Sequence, residues 1–148
     1  MGLLDVLKFR VATDAGAVVG LIKRWNPENC KSEKDFEKSL YEFLHVELGD
    51  GIQITKQFAR ARMKADIVVD DKVIIELKFK LDTTAKYQRL IGQLETYREW
   101  EGSVIALLTG KTEPNLRKEL IKKIDELNNR EFNPLFLVTD DQFRLVEK

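Results

Sequence analysis

Two acidic residues and a lysine in the middle of the chain could carry metal-dependent chemistry. Nine residues separate Asp66 from Glu76, and one residue separates Glu76 from Lys78. An Asp and a Glu that converge suit a hard cation such as Mg²⁺, which takes a few carboxylates and keeps several waters. Such an ion lowers the pKa of a bound water, and a neighbouring lysine can orient that water. The three residues predict phosphodiester hydrolysis with Mg²⁺, which Mn²⁺ could replace.

Composition excludes several other kinds of site. The chain has one cysteine, Cys30, and one histidine, His45. No internal disulfide can form, a Cys/His zinc site is effectively excluded, and a Cys/His or Ser/His pair would require His45. The chemistry must rest on carboxylates, lysines and an ion. The cysteine usage favours a reducing, cytoplasmic compartment, and no apolar run or leader pattern indicates a membrane partner.

The charge balance limits how the chain could bind nucleic acid. Lys plus Arg and Asp plus Glu both total 25, so the net charge is zero and any DNA contact must come from a local patch. Basic residues do concentrate around the three candidate residues, either as a phosphate-binding patch or as partners of surface acids. The predicted DNA-binding residues are Lys56, Arg60, Arg62, Lys64, Lys80, Lys86 and Arg89.

The strand that carries Glu76 and Lys78 has the clearest pattern in the chain. Val73–Phe79 alternates so that one face is wholly apolar and the other carries Glu76 and Lys78. We expect the apolar face to lie on the core and the other face to meet a second, more polar environment. The alternative is that Glu76 and Lys78 simply form a solvated strand face.

The position of Asp66 depends on the register of the hairpin. A two-residue turn at Asp70 and Asp71 would set Asp66 opposite Ile75, on the apolar face. Asp66 shares the face of Glu76 only if the loop has an odd number of residues, such as 70–72, or if a bulge intervenes. We predict one of these two arrangements.

The other elements follow from caps and apolar spacing. Ser32 is a good N-cap for a helix that 49–51 ends, and Pro114 starts a helix through about Leu127. The remaining predictions are one or two helices in 3–24, strands at 52–58, 66–69, 103–108 and 135–138, a helix from Thr83 or Thr84 to about Trp100, and an edge strand at 143–146. This order predicts one α/β domain over 1–148, with a mixed sheet flanked by helices.

The spacing of Asp66, Glu76 and Lys78 resembles the core motif of the PD-(D/E)XK nuclease superfamily, which includes restriction enzymes, Holliday-junction resolvases and RecB-type and lambda-type exonucleases. Ala65 stands where the motif name has Pro. The resemblance implies a restriction-endonuclease-like αβββαβ core over 32–108, with an N-terminal helical extension at 1–31 and a C-terminal helix and strands at 109–148. It also implies a deoxyribonuclease, and a homodimer where both strands are cut.

Three further residues extend this resemblance. Superfamily members often carry a Glu on the first core helix that reaches the metal, and Glu37 fits best, with Glu33 as the fallback. Gln93 and Tyr97 resemble the Q-x-x-x-Y element of RecB-type and lambda-type nucleases, and one helical turn separates them. The resemblance implies that all three join Asp66 and Glu76 in catalysis, with Glu37 as a metal ligand. The alternative roles are a surface residue for Glu37 and a core residue for Tyr97. The alternative functions are a nucleic-acid-binding module without catalysis and an unrelated α/β protein.

Overall fold

The structure is a computed structural model that describes residues 15–130 and 135–139. Its elements follow the order α-α-βββ-α-β-α-β. The helices are α1 (Ala15–Ile22), α2 (Glu33–Leu48), α3 (Thr84–Thr96) and α4 (Pro114–Arg130), with a 3-10 turn at Tyr97–Glu99. The strands are β1 (Ile54–Arg60), β2 (Met63–Val69), β3 (Val73–Phe79), β4 (Ser103–Thr109) and β5 (Leu135–Val138).

The strands of the described ranges form one five-stranded mixed sheet in the order β1-β2-β3-β4-β5. β1, β2 and β3 pair antiparallel, whereas β3, β4 and β5 pair parallel. Parallel neighbours need a crossover connection, which α3 supplies between β3 and β4 and α4 supplies between β4 and β5. The predicted α/β architecture, with helices flanking a mixed sheet, is confirmed.

Side-chain caps begin the two helices that flank the candidate residues. Ser32 Oγ accepts a hydrogen bond from the Asp35 amide at the start of α2, and Gly49, at φ 79°, ends that helix. Thr83 caps α3 through the Lys86 amide. The α-helix ends at Thr96, because the chain tightens into the 3-10 turn at Tyr97–Glu99, earlier than the predicted end near Trp100.

Hydrophobic cores cover both faces of the sheet. α1 and α2 pack against one face in a first core that contains Ile75 and Leu77, and α3 and α4 pack against the other in a second core that contains Ile74. Glu76 points toward the second core and its exposed fraction is 0%. The alternative of a solvated strand face is therefore wrong for Glu76, because helices cover that face too. The expected more polar environment lies inside the second core, where Lys78 and Tyr97 surround Glu76.

The hairpin loop between β2 and β3 has the predicted odd length. Val69 pairs with Val73, which leaves 70–72 as a three-residue loop. The Lys72 carbonyl at its end accepts hydrogen bonds from Trp100 Nε1 at 3.1 Å and from the Ser103 amide at 2.9 Å. These contacts tie the loop to the start of β4, and the resulting register sets Asp66 on the side of Glu76.

The β1–β2 hairpin changes faces halfway along its length. Ile54 and Ile67 pack against the first core, whereas Phe58 and Ala65 pack against the second. Regular alternation would keep Ile54 and Phe58 on one face of β1, and Ala65 and Ile67 on one face of β2. The backbone must therefore turn within the hairpin. Gln57 lies at that point with a positive φ of 51°. This turn explains why apolar residues alternate only loosely over the predicted strand at 52–58. The observed strands differ from the predicted bounds of 52–58 and 66–69, because pairing continues to Arg60 and Met63 on either side of a two-residue turn.

Two predicted segments, the apolar cluster at 3–7 and the edge strand at 143–146, lie outside the described residues. None of the helices in 15–130 has both the length and the apolar character needed to cross a membrane.

Candidate active site

β2 and β3 separate beyond the pair formed by Ile67 and Ile75. Past this point the Leu77 amide donates to the Asp66 side chain, at 2.8 Å from Oδ2. The Lys64 carbonyl lies 2.6 Å from the Tyr97 hydroxyl. Side chains thus take the place of ladder hydrogen bonds between 64–66 of β2 and 76–78 of β3. We call this opening the fork.

Glu76 lies inside the fork between a tyrosine and a lysine. Its Oε1 is 2.5 Å from the Tyr97 hydroxyl, and its Oε2 is 3.4 Å from Lys78 Nζ. Oε2 is buried and has no hydrogen-bond partner among the described residues. Glu76, Lys78 and Tyr97, all predicted as site residues, are therefore brought together, and one carboxylate oxygen keeps its acceptor capacity.

The environment favours a neutral Glu76 in the protein without a bound cation. Burial raises the pKa of Glu76 to about 8, and the negative charge of Asp66 acts in the same direction. Burial and the charge of Glu76 likewise raise the pKa of Tyr97. Tyr97 has one hydroxyl hydrogen but two acceptors in reach, Glu76 and the Lys64 carbonyl. A neutral Glu76 resolves this, since it can donate to Tyr97 while Tyr97 donates to Lys64.

Glu37 approaches the fork from α2. It is half-buried, and its carboxylate accepts a hydrogen bond from Gln57 Nε2. Burial raises the pKa of Glu37, and the charge of Asp66 contributes to the shift, so the two carboxylates interact across the fork. Glu33, the fallback, is engaged elsewhere, because its Oε1 accepts a hydrogen bond from the Phe79 amide at 3.1 Å.

The predicted set of three metal ligands is not assembled. Within 15–130 and 135–139, no group of three or more His, Cys, Asp or Glu side chains is arranged to hold an ion. Each predicted ligand has another partner: the Leu77 amide for Asp66, Gln57 for Glu37 and Tyr97 for Glu76. Asp66 and Glu76 still fit a cation, because the buried Glu76 Oε2 accepts no hydrogen bond from the described residues and has only the Lys78 ammonium at 3.4 Å. A cation would also offset the repulsion between the two carboxylates.

A cleft of about 420 Å³ opens beside Lys78. Gln93 lines it, and the Gln93 Oε1 atom is buried without a hydrogen-bond partner in the described part of the chain. The sequence predicted that Gln93, Lys86 and Arg89 would lie near Lys78 but missed the apolar wall. The full lining is Glu33, Lys78, Phe79, Leu81, Lys86, Arg89 and Gln93.

Several predicted DNA-binding residues contact aromatic rings. The Arg60 guanidinium lies 5.2 Å from the Phe58 ring and 5.3 Å from the Trp100 ring. Lys56 lies 4.7 Å above Tyr41, and Lys80 lies 5.1 Å above Phe79. Lys86 instead pairs with Asp82 at 2.9 Å, and Arg62, Lys64 and Arg89 are exposed. Pairing with acids thus accounts for Lys86, whereas ring contacts leave the charges of Arg60, Lys56 and Lys80 open to an anion.

Sequence reasoning missed Gln57, which joins Glu37 to β1. A glutamine in a strand gives no signal of a positive φ or of a hydrogen bond to a helix 20 residues away. Phe79 was predicted on the core face of β3, and it does pack against the first core while it also lines the cleft. Leu81, just after β3, was not singled out in the sequence.

Comparison with known protein families, with curated proteins and with solved structures gives no match to this chain. The fold and the site geometry are therefore the basis for any functional assignment.

Proposed function

We propose that the protein is a metal-dependent nuclease that hydrolyses phosphodiester bonds in DNA, and that it is a distant member of the PD-(D/E)XK superfamily. The observation that carries the proposal is the wholly buried Glu76, held by Tyr97 on one oxygen and open on the other, beside Lys78. Burial of a carboxylate is unfavourable, and ionisable groups that burial perturbs strongly are concentrated at functional sites.

In this proposal Asp66 and Glu76 would hold Mg²⁺, which Mn²⁺ could replace, and Glu37 would support the ion with the carboxylate oxygen that does not accept from Gln57. A bound Mg²⁺ supplies positive charge that lowers the pKa of a water and offsets charge on the phosphate. Lys78 Nζ is 3.4 Å from Glu76 Oε2, within reach of the same small volume. Lys78 orients the attacking water there and offsets negative charge on the phosphate in the transition state.

Gln93 on α3 and Tyr97 in the 3-10 turn that follows would support the reacting groups. The Tyr97 hydroxyl fixes the rotamer of Glu76 by its contact with Oε1, which leaves Oε2 directed toward Lys78. Gln93 carries an unpartnered acceptor at the edge of the cleft, where it can accept a hydrogen bond from a water or from a substrate N–H group.

The basic residues around the fork are the proposed DNA contacts. Because the chain has no net charge, these contacts must provide the local positive potential that attracts phosphates. Exposed residues on β1, β2 and their turn would hold the backbone on one side, and Arg89 would hold it on the cleft side. Lys86 would join Arg89 there only after its ammonium leaves Asp82. A homodimer remains our expectation for cleavage of both strands.

A cleavage assay tests the proposal. Purified protein is incubated with linear, circular, single-stranded and branched DNA in Mg²⁺, Mn²⁺ or EDTA. We expect cleavage of at least one substrate with metal and none in EDTA, with loss of at least about a hundredfold in Glu76→Gln and Lys78→Met. Glu119→Gln and Lys122→Met, matched exposed positions on α4, should cleave like the wild type. Absence of cleavage with every metal, or cleavage that persists in Glu76→Gln, would overturn the proposal.

A nucleic-acid-binding module without catalysis is the second candidate. The observation in its favour is that no three ligands are assembled for a metal among the described residues. A gel-shift measurement on the same DNA panel separates the two. Salt-sensitive binding in EDTA, with intact DNA after incubation in Mg²⁺ and Mn²⁺, would identify the binding module.

A further inference from the structure

Gln57 occupies an unusual backbone position for its residue type. It lies inside β1 at φ 51°, in the left-handed region that favours glycine or asparagine. The described ladder pairs Lys56 with Ile67 and Phe58 with Ala65, but it skips Gln57 and Asp66 between them. The backbone is therefore turned out of the sheet where β1 passes the fork. Such a conformation is unfavourable and persists only where surrounding contacts hold it.

The turned backbone directs the Gln57 side chain to α2. Gln57 Nε2 donates to Glu37 Oε1 across a separation of 20 residues. On the opposite strand, Asp66 uses its side chain toward β3 and raises the pKa of Glu37 by its charge. Gln57 is thus a neutral donor that holds the Glu37 carboxylate near Asp66, although the charges of the two acids repel each other.

We infer that Gln57 is a positioning residue that presents the Glu37 carboxylate to the Asp66 and Glu76 centre. This inference rests on the proposed function, in which Glu37 supports the metal. Glu37 has one oxygen on Gln57 and leaves the other available. A donor on one oxygen fixes the orientation of a carboxylate, as outer hydrogen-bond partners do for metal ligands in general.

A purely structural role for Gln57 predicts a different effect of substitution. If this position only had to turn the strand, glycine would serve better, because it adopts positive φ without the clash of a Cβ atom. Glutamine is favoured over glycine at this position only if its side chain makes a useful contact, such as the hydrogen bond to Glu37. The substitution Gln57→Gly therefore separates the two roles.

The test measures Mn²⁺ affinity by electron paramagnetic resonance on the whole protein. We expect Gln57→Met, which keeps the length but loses the donor, to weaken Mn²⁺ binding about tenfold, with cleavage restored at saturating Mn²⁺. Gln57→Gly should raise the melting temperature and still weaken Mn²⁺ binding. Gln53→Met, an exposed glutamine just before β1, is the matched control and should leave both unchanged.

A double-mutant cycle with Glu37→Gln connects the effect to Glu37. In the Glu37→Gln background, Gln57→Met should cause no further loss of Mn²⁺ affinity. In the metal-free protein, the side-chain amide protons of Gln57 should shift in the NMR spectrum on Glu37→Gln. Unchanged Mn²⁺ affinity in Gln57→Met, with a wild type that binds Mn²⁺ and cleaves DNA, would overturn this inference alone. A wild type that neither binds Mn²⁺ nor cleaves would overturn the proposed function as well.

Discussion

The Tyr97 hydroxyl lies 2.5 Å from Glu76 Oε1, in a buried contact between residues 21 positions apart. It connects the end of α3 to the centre of β3. It also explains why the strands can separate at the fork without leaving the Lys64 carbonyl unsatisfied, since the same hydroxyl reaches that carbonyl at 2.6 Å. These two contacts give a physical reason for a tyrosine at this position.

Tyr97→Phe should destabilise the protein although it removes a single oxygen atom. The buried Glu76 Oε1 and the part-buried Lys64 carbonyl would both lose their partner. We expect the free energy of unfolding to fall by about 1–3 kcal/mol in urea denaturation. Tyr41→Phe, on the half-buried side of α2, is the control and should change it by less than about 0.5 kcal/mol. Equal effects of the two substitutions would contradict the account of the fork.

Glu76→Gln should make the metal-free protein more stable at alkaline pH. The folded pKa of Glu76 is about 8 and the value for an unburied glutamate is 4.5. Between these values the folded chain binds more protons than the unfolded chain, so the free energy of unfolding falls as pH rises. Glutamine has no such dependence. At pH 9 we expect the variant to be more stable by on the order of 2 kcal/mol, with the gap closing toward pH 4.

Urea denaturation of both proteins across this pH range, in EDTA, measures the effect. Glu119→Gln is the matched control, because Glu119 is exposed on α4. Parallel stability curves for wild type and Glu76→Gln would mean that Glu76 is not held in an unfavourable charged state.

Gly102→Ala should disturb the loop that fixes the register of Asp66. A Cβ atom at Gly102 would lie 1.7 Å from the Lys72 carbonyl oxygen and 2.8 Å from Trp100 Nε1. Because backbone must move, we expect a loss of about 2–4 kcal/mol in the free energy of unfolding. Gly20→Ala is the control of opposite sign, since the added methyl in α1 meets nothing within 4 Å and should stabilise by about 0.5–1 kcal/mol. A neutral Gly102→Ala would contradict the tight contact with the loop.

Arg60→Ala should weaken DNA binding and reduce its salt dependence. Arg60 is exposed at the end of β1 and is held by the Phe58 and Trp100 rings rather than by an acid. If it contacts one phosphate, the slope of log affinity against log salt should fall by about one. Arg24→Ala, which removes a partner of Glu47, should leave the slope unchanged. An unchanged slope in Arg60→Ala would exclude Arg60 from the DNA interface.

The sequence was sufficient where local rules decide the outcome. The Ser32 cap and the bounds of β3 and β5 follow from capping and alternation. The odd loop at 70–72 was predicted from the requirement that Asp66 share the face of Glu76, with a bulge as the alternative, and the observed register selects the odd loop.

The rest depended on contacts between distant segments. The burial of Glu76 results from α3 covering the second face of the sheet, which a strand pattern cannot reveal. The face change at Gln57 occurs because one half of the hairpin packs on the first core and the other half on the second. The residue type at position 57 does not predict it. The ring partners of Arg60 similarly require the 3-10 turn that brings Trp100 to β1.

Anomalous diffraction from crystals soaked in Mn²⁺ tests whether Asp66 and Glu76 hold a metal ion. We predict a single strong peak at the fork, within coordination distance of carboxylate oxygens of both residues, and its loss in Glu76→Gln crystals. Crystals with no peak at the fork, or a peak that survives Glu76→Gln, would contradict the assignment of these two residues as the metal centre of a nuclease.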